Sequence, residues 1–196
     1  LISGRIPKTA KTSRSILLPK TKDSLDDINN WRPLTISGAI LRLYTALLTE
    51  RLTNSISLNP RQRGFIPALG CAENVFFLET SIKQAKSQGK RLCVALLDLA
   101  KAFDTVSHKH LVVGLQRHRV NPHWVDLVVD LYTDCSTIFK VNGESSVEIA
   151  ISRGVKQGDP LSPLLFNIAL DPIFCLIKEQ SNGYTYTGGT CIGSMA

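Results

Sequence analysis

One aspartate in the sequence stands where metal ligands are often found. The alternation of the apolar run 91–98 predicts a buried strand that ends at Asp98. A carboxylate there, together with the backbone carbonyl of Leu99, can bind Mg²⁺, which prefers oxygen ligands and few protein groups. Chemistry that uses two such ions, about 3.5–4 Å apart, needs further acids. The alternative is an ordinary Asp98 that caps the turn after the strand.

Two residues of the following turn could contribute to such a site. Asp104 is the nearest further acid, and a local role is predicted in which its side chain accepts hydrogen bonds from backbone amides near Thr105 and Ser107. Phe103 precedes it. An aromatic residue in that position is usually part of the core, and it could also form the wall of a sugar pocket.

The loop 153-RGVKQGDPLSP-163 is the second group of residues that could do chemistry. Gly154 and Gly158 allow a close approach of the backbone to a ligand. Polar contacts are supplied by Lys156, Gln157 and Asp159. A ligand-binding loop and an ordinary stiff loop both fit this pattern.

The positive charge of the chain is concentrated in its first third. The net charge is +7, and residues 1–63 contain eleven Lys and Arg against four Asp and Glu, while residues 64–196 contain equal numbers. A basic lobe suits a polyanionic partner, and a solvated surface is the alternative. The candidate contacts for a triphosphate or a nucleic-acid backbone are Lys20, Lys22, Arg32, Arg61 and Arg63.

The periodicity of the chain predicts a mixed α+β fold. The predicted helices cover 39–56, 71–88, 108–118, a segment from Pro122, and 163–179, and the predicted strands cover 15–20, 34–37, 91–98 and hairpins over 136–152 and 184–196. Ser107 and Asn121 are predicted helix caps, and Pro172 is expected to bend or interrupt its helix.

Several classes of protein are disfavoured by composition. The chain is 43% hydrophobic and 20% charged, which is typical of a globular protein. No apolar run approaches the roughly 20 residues of a membrane span. The five cysteines form no CxxC pair, and the four histidines lack metal-ligand spacing and are predicted to lie on the surface.

Five blocks, taken in order, resemble a reverse transcriptase of non-LTR (LINE-type) retrotransposons, including those that insert into ribosomal DNA. The blocks are 17-LLPK-20, 30-NWRPLTI-36, 60-PRQRGFIP-67, 96-LLDLAKAFDTVSH-108 and 153-RGVKQGDPLSPLLFN-167. The last two are the most specific.

The resemblance implies a right-hand polymerase fold. Fingers would occupy about 1–90, and about 91–196 would be mostly palm, with a ferredoxin-like sheet, flanking helices and no thumb. The family places an aromatic–Ala–Asp–Asp turn after the strand that corresponds to 190-TCIGSMA-196. Because the chain also opens on Leu1 and its single methionine is Met195, it is expected to be a piece cut at both ends, inactive by itself.

The resemblance also implies roles for individual residues. Asp98 would be the first metal-binding aspartate, with the Leu99 carbonyl, and Phe103 would lie under the incoming sugar and exclude a 2′-hydroxyl. The other implied nucleotide contacts are Lys20, Arg32 and Gln157. The implied template or primer contacts are Arg61, Gln62, Gly64, Phe65, Lys156 and Gly158.

The function implied by the resemblance is RNA-directed DNA polymerisation with two Mg²⁺ ions. The partners would be an RNA template, a DNA primer, often nicked target DNA, and a dNTP, with no membrane. A nuclear location is expected if the parent is a eukaryotic retrotransposon. The alternatives left open are a catalytically inactive RNA-binding module of the same fold and, less favoured, a Mg²⁺-dependent phosphohydrolase.

Overall fold

A computed structural model of the chain describes residues 5–21, 25–67, 70–141, 143–180, 183–186, 191–193 and 195. The chain divides into two compact units. Unit 1 comprises Leu1–Ile56 and Lys101–Phe166, and unit 2 comprises Ser57–Ala100 and Asn167–Ala196. A mixture of helix and sheet is confirmed. The division into fingers and palm near residue 90 stays a prediction.

The sheet of unit 1 brings together strands from the two ends of that unit. Strand β1 (Thr12–Pro19) pairs antiparallel with β2 (Trp31–Ile36) and parallel with β3 (Ser136–Val141). The short strands β4 (Glu144–Ser145) and β5 (Ile149–Ala150) both pair antiparallel with β3. The strand order is β2-β1-β3-β4, with β5 also on β3. The β1–β3 pairing, between strands far apart in sequence, was not predicted.

Buried hydroxyl groups link the three main strands of this sheet, β1, β2 and β3, by side-chain hydrogen bonds. The Ser15 Oγ lies 2.8 Å from the Thr35 Oγ1 and 2.8 Å from the Thr137 Oγ1. The Ser13 Oγ donates to the Ser136 carbonyl at 2.8 Å. These buried hydroxyl groups therefore have hydrogen-bond partners on the neighbouring strands, so their burial leaves no polar atom unpaired among them.

The helices of unit 1 supply most of its apolar core. They are α1 (Lys8–Lys11), a 3₁₀ turn (Ile28–Asn30), α2 (Ala39–Ser55), α4 (Ala102–Thr105), α5 (His108–Arg117), α6 (Pro122–Tyr132) and the first turns of α7 (Ser162–Gln180). The most deeply buried side chains are Leu48, Leu52, Leu111, Leu115, Val128, Leu161 and Leu165. Each contributes about 1.5–3 kcal/mol through burial.

The two predicted helix caps have different outcomes. The Asn121 side chain accepts a hydrogen bond from the His123 amide at 2.9 Å, which confirms the predicted cap of α6. Ser107 precedes α5 but makes no side-chain cap hydrogen bond. Helix α7 continues through Pro172, so an interruption there is wrong, while the alternative of a bend stays a prediction.

Unit 2 contains α3 (Cys71–Ser87), most of α7 and a small hairpin of β6 (Tyr184–Thr185) and β7 (Cys191–Ile192). The Tyr186 hydroxyl donates to the Phe77 carbonyl at 2.9 Å, which ties the hairpin to α3. The hairpin was predicted, although residues 187–190, 194 and 196 lie outside the described part. No helix in the described ranges is long and apolar enough to cross a membrane.

The predicted buried strand 91–98 is wrong. Residues 90–99 have no regular secondary structure, and every residue from 93 to 99 is exposed. Leu96 and Leu97 are each 88% exposed. A strand requires a neighbour that accepts its backbone hydrogen bonds. In the described residues of unit 2, strand pairing is confined to β6 and β7.

Asp130 of α6 holds the N-terminal segment of unit 1. Its Oδ2 accepts from the Ile6 amide at 2.7 Å, and its Oδ1 accepts from the Lys11 Nζ at 2.9 Å. Burial disfavours the ionised carboxylate, but the Ile6 amide and the Lys11 ammonium outweigh burial and, with Arg5, hold the pKa of Asp130 below its ordinary value.

Asp130→Asn is expected to lower the free energy of unfolding at pH 7 by about 1.5–3 kcal/mol, the usual contribution of hydrogen bonds to charged groups. Because the folded pKa is depressed, the wild-type stabilisation is present above the unfolded pKa and is lost as the pH falls below about 4. In urea unfolding, the difference in the free energy of unfolding between the wild type and Asp130→Asn should be smaller at pH 3 than at pH 7. The exposed Asp126→Asn is the control, and an unchanged difference at pH 3 contradicts the assignment.

Candidate functional site

The two most specific sequence blocks are joined by backbone hydrogen bonds within unit 1. The Val155 amide donates to the Phe103 carbonyl at 2.8 Å, and the Gly154 amide donates to the Val106 carbonyl at 2.7 Å. A ring nitrogen of His108 lies 2.8 Å from the Gly154 carbonyl oxygen. His108 is half-buried, so its prediction as a plain surface residue is wrong. The turn 101–106 and the loop 153–158 therefore form one rigid arrangement.

The two glycines of the loop are required by contacts with the protein's own backbone. Gly154 has φ +89°, and a Cβ there would lie 2.8 Å from the Asp104 carbonyl oxygen. Gly158 has φ +106°, and a Cβ there would lie 3.1 Å from the Leu34 Cδ1 and 3.2 Å from the Thr35 carbonyl oxygen. The Thr35 amide donates to the Gln157 carbonyl at 2.8 Å. The pair Gln157–Gly158 is thereby seated on β2.

The side chains of the turn 101–106 contact the loop and α7. The Phe103 ring stacks on Phe166, with centroids 4.9 Å apart and an interplanar angle of 13°. The Asp104 Oδ1 accepts a hydrogen bond from the Gln157 Nε2 at 3.0 Å. The predicted bonds from Asp104 to the amides near Thr105 and Ser107 are wrong, because the Thr105 amide donates to the Lys101 carbonyl at 3.1 Å and the Asp104 carboxylate instead accepts from a residue 53 positions later.

The interior of the loop carries a buried pair of opposite charges. Burial lowers the pKa of Lys156, although Asp159 opposes this effect, and burial raises the pKa of Asp159. The Lys156 Nζ donates to the Lys11 carbonyl at 3.2 Å, and the Asp159 Oδ2 accepts from the Thr45 hydroxyl at 3.2 Å. Lys156 is only 5% exposed. This placement favours a structural role, and its template contact stays a prediction.

Lys20 and Arg32 lie on the β1–β2 hairpin of unit 1. Lys20 is exposed, and its Nζ donates to the Asn29 carbonyl at 2.8 Å. Arg32 is exposed on β2, opposite Leu18 in the register of the two strands. Both cations are accessible to an anionic ligand.

In unit 2, buried side chains of α7 hold the loop 59–65. The Asn167 Nδ2 donates to the Gly64 carbonyl at 2.9 Å, and the Asp171 Oδ1 accepts from the Asn59 amide at 2.6 Å. Neither residue was among the predicted site residues. Their spacing of four, in the otherwise apolar stretch 164–177, places two polar side chains on one buried face, and this signal was readable from the sequence.

The predicted template residues of this loop differ in exposure. Gln62 is 4% exposed, and its Oε1 accepts from the Gly64 amide at 2.9 Å. Phe65 is 62% exposed, with φ +56°. The Arg61 side chain is half-buried, and the Arg61 amide donates to the Asn59 Oδ1 at 3.0 Å. Gln62 therefore shapes the loop, while Phe65 is open to a ligand.

Asp98 lies in the exposed segment 93–99 of unit 2. It follows in sequence the residues 90–96, which line one side of a cavity. The cavity has a volume of about 710 Å³ and is lined by 90–96, the β6 segment and Met195. Across the described residues, no cluster of three or more His, Cys, Asp or Glu could hold a metal ion. One exposed carboxylate and the exposed Leu99 nevertheless fit Mg²⁺, which takes one or two carboxylates and completes its shell with substrate oxygens.

Comparison with known proteins identifies the class. Residues 18–192 match the family model described as reverse transcriptase (RNA-dependent DNA polymerase), so the chain belongs to the reverse transcriptase family. It is 38% identical over 180 residues to the Retrovirus-related Pol polyprotein from type-1 retrotransposable element R2 of Popillia japonica, covering 91% of this chain and 25% of that protein. It is 36% identical over 177 residues to the polyprotein from type-2 element R2DM of Drosophila melanogaster, covering 90% and 17%.

A more distant relative carries an enzyme name. The RNA-directed DNA polymerase from mobile element jockey of Drosophila melanogaster is 27% identical over 170 residues, covering 84% of this chain and 18% of that protein. The chain thus spans a quarter or less of the length of these curated relatives. The resemblance stated from the five sequence blocks is confirmed.

Proposed function

We propose that the protein carrying this chain is an RNA-directed DNA polymerase of a non-LTR retrotransposon related to R2 elements. The observation that carries the proposal is the set of hydrogen bonds that joins the turn 101–106 to the loop 153–158, because it unites the two most specific blocks of the family. In this proposal the chain supplies parts of the fingers and palm of a right-hand fold.

The reaction is the attack of a primer 3′-hydroxyl on the α-phosphate of a dNTP directed by an RNA template. Asp98 and the Leu99 carbonyl would hold Mg²⁺ in the intact protein. When bound, such ions lower the pKa of the attacking hydroxyl and stabilise the leaving pyrophosphate. The residues of this chain mainly bind and position the substrates, which is the protein's usual share in phosphoryl-transfer chemistry.

The nucleotide contacts are assigned to unit 1. Lys20 and Arg32 are exposed cations that can bind the triphosphate. The Phe103 ring, fixed by its stack on Phe166, would lie under the sugar and exclude a 2′-hydroxyl. Gln157 and Gly158, seated on β2, would lie along the nascent base pair.

The template contacts are assigned to the loop 59–65 of unit 2. Phe65 is exposed and can stack on an unpaired base. Arg61 supplies a cation that can bind the phosphate backbone of the template, while Gln62 and Gly64 fix the loop conformation. The excess positive charge of residues 1–63 favours nucleic-acid binding in general.

The direct test is primer extension by the full-length protein that carries this chain, with an RNA template, a DNA primer and labelled dNTPs. Template-dependent extension that requires a divalent metal ion supports the proposal. Tight RNA binding without any extension would favour the inactive RNA-binding module. Hydrolysis of a generic phosphate ester without extension would favour a phosphohydrolase.

Replacing the proposed sugar contact should relax selection against ribonucleotides. Phe103→Val is expected to raise kcat/KM for rNTPs relative to dNTPs by about 10-fold or more, since excluding one small group from a pocket contributes 10–200-fold. Steady-state incorporation of each nucleotide measures the ratio. The matched control is Phe76→Val, because Phe76 is 63% exposed on α3. An unchanged ratio in Phe103→Val removes Phe103 from the sugar contact.

A further inference from the structure

Asp104 stands beside the proposed nucleotide contacts without a role in them. Its Oδ1 accepts a hydrogen bond from the Gln157 Nε2 at 3.0 Å. Both residues are half-buried and line one cavity of about 300 Å³. Thr35, which holds the Gln157 carbonyl through its amide, lines the same cavity. The carboxylate therefore acts on a side chain that is already fixed at its backbone.

The chemistry of the pair determines the orientation of the amide. An ionised carboxylate can only accept hydrogen bonds, whereas a glutamine amide has a donor end and an acceptor end. Asp104 must therefore face the Nε2 of Gln157. The Oε1 is turned away from Asp104 as a consequence. Without the carboxylate, either end of the amide could face the same direction.

Contacts with neighbouring residues fix the backbone on either side of Asp104 and Gln157. The Phe103 carbonyl accepts from the Val155 amide at 2.8 Å, one residue before Asp104 and two before Gln157. Gly158 lies against Leu34 and Thr35 of β2. Because these contacts fix both backbones, rotation of the Gln157 side chain is the freedom that remains for Asp104 to restrict.

We propose that Asp104 is a positioning residue that fixes the Gln157 amide, with Nε2 toward Asp104 and Oε1 available to the incoming nucleotide or its template base. This inference rests on the proposed polymerase function. Asp104 does not touch the substrate and acts through Gln157. Its contribution should therefore vanish when the glutamine is absent.

A double-mutant cycle in the full-length protein tests that dependence. Asp104→Ala and Gln157→Ala are each expected to lower kcat/KM for dNTPs by about 10-fold, at the lower end of the 10–100-fold effects known for residues that orient metal-binding side chains. The double variant should be no worse than Gln157→Ala. Asp104→Asn should also lower kcat/KM for dNTPs, by no more than Asp104→Ala, because its Oδ1 can accept the same hydrogen bond but its Nδ2 can instead face the Oε1 of Gln157. The exposed Asp126→Ala is the matched control.

Two results of the cycle overturn the inference. If Asp104→Ala has its full effect in the Gln157→Ala background, Asp104 acts independently of the glutamine. If Asp104→Asn has the full activity of the wild type, a side chain that can only accept hydrogen bonds is not needed to orient the amide. A purely structural role would instead lower the unfolding free energy and reduce activity equally in both backgrounds.

A second measurement separates this inference from the proposed function. In the ¹⁵N-labelled 196-residue chain, the side-chain amide signals of Gln157 should shift in Asp104→Ala and in Asp104→Asn and remain in place in the control Asp126→Ala. Unshifted signals in Asp104→Ala, with normal extension by the wild type, overturn the inference alone. Absence of extension by the wild type, with the expected shift, overturns the polymerase function and the positioning role that rests on it.

Discussion

Asp98→Ala in the full-length protein is expected to reduce template-directed dNTP incorporation by about 10³-fold or more. Metal-ion catalysis contributes several kcal/mol to such reactions, and each 1.36 kcal/mol is a factor of ten in rate. Asp98 is the proposed carboxylate ligand supplied by this chain. Its removal leaves only the Leu99 carbonyl as a ligand from this segment.

RNA binding by Asp98→Ala should change by no more than about twofold, the usual range for a surface substitution. Asp98 is exposed in a segment without regular structure, so its replacement creates no cavity and breaks no strand. Primer extension and filter binding on the same preparation separate the two effects. Asp126→Ala removes another exposed carboxylate and should leave both extension and RNA binding unchanged. Near-normal extension by Asp98→Ala would exclude Asp98 from the mechanism.

Long helices were the most predictable part of the fold. The sequence predicted helices over 39–56 and 71–88, and the structure has Ala39–Ser55 and Cys71–Ser87. Helix hydrogen bonds are local, and the apolar spacing shows which face is buried. Strands depend on partners from elsewhere. The alternation of 91–98 was therefore insufficient to predict the state of that segment.

The residue types of the site were recognisable, whereas their connections were not. Gly154 and Gly158 were singled out because glycine permits a close backbone approach. The structure uses that freedom for contacts with Asp104 and β2. The hydrogen bond between Asp104 and Gln157 joins residues 53 positions apart. No periodicity encodes such a pairing, because it depends on how the turn and the loop fold against each other.

Among substitutions in the turn 101–106 and the loop 153–158, Gly154→Ala is expected to destabilise the fold the most. Its φ of +89° is strained for any residue with a Cβ, and the added atom would lie 2.8 Å from the Asp104 carbonyl oxygen and 3.0 Å from the Asp104 Cα. Backbone atoms cannot rotate away as a side chain can. Left-handed strain costs about 1–2 kcal/mol and overpacking about 1–3 kcal/mol, which gives a loss of about 2–5 kcal/mol.

Urea unfolding of the 196-residue chain, followed by circular dichroism, measures this loss. Gly143→Ala separates its two causes, because Gly143 has φ +86° but no atom within 4 Å of its Cβ position. That control should show only the backbone strain. Equal losses in the two variants would contradict a steric contact with Asp104. A larger loss at Gly154 shows that the close approach of the loop 153–158 to the turn 101–106 requires a residue without a Cβ at this position.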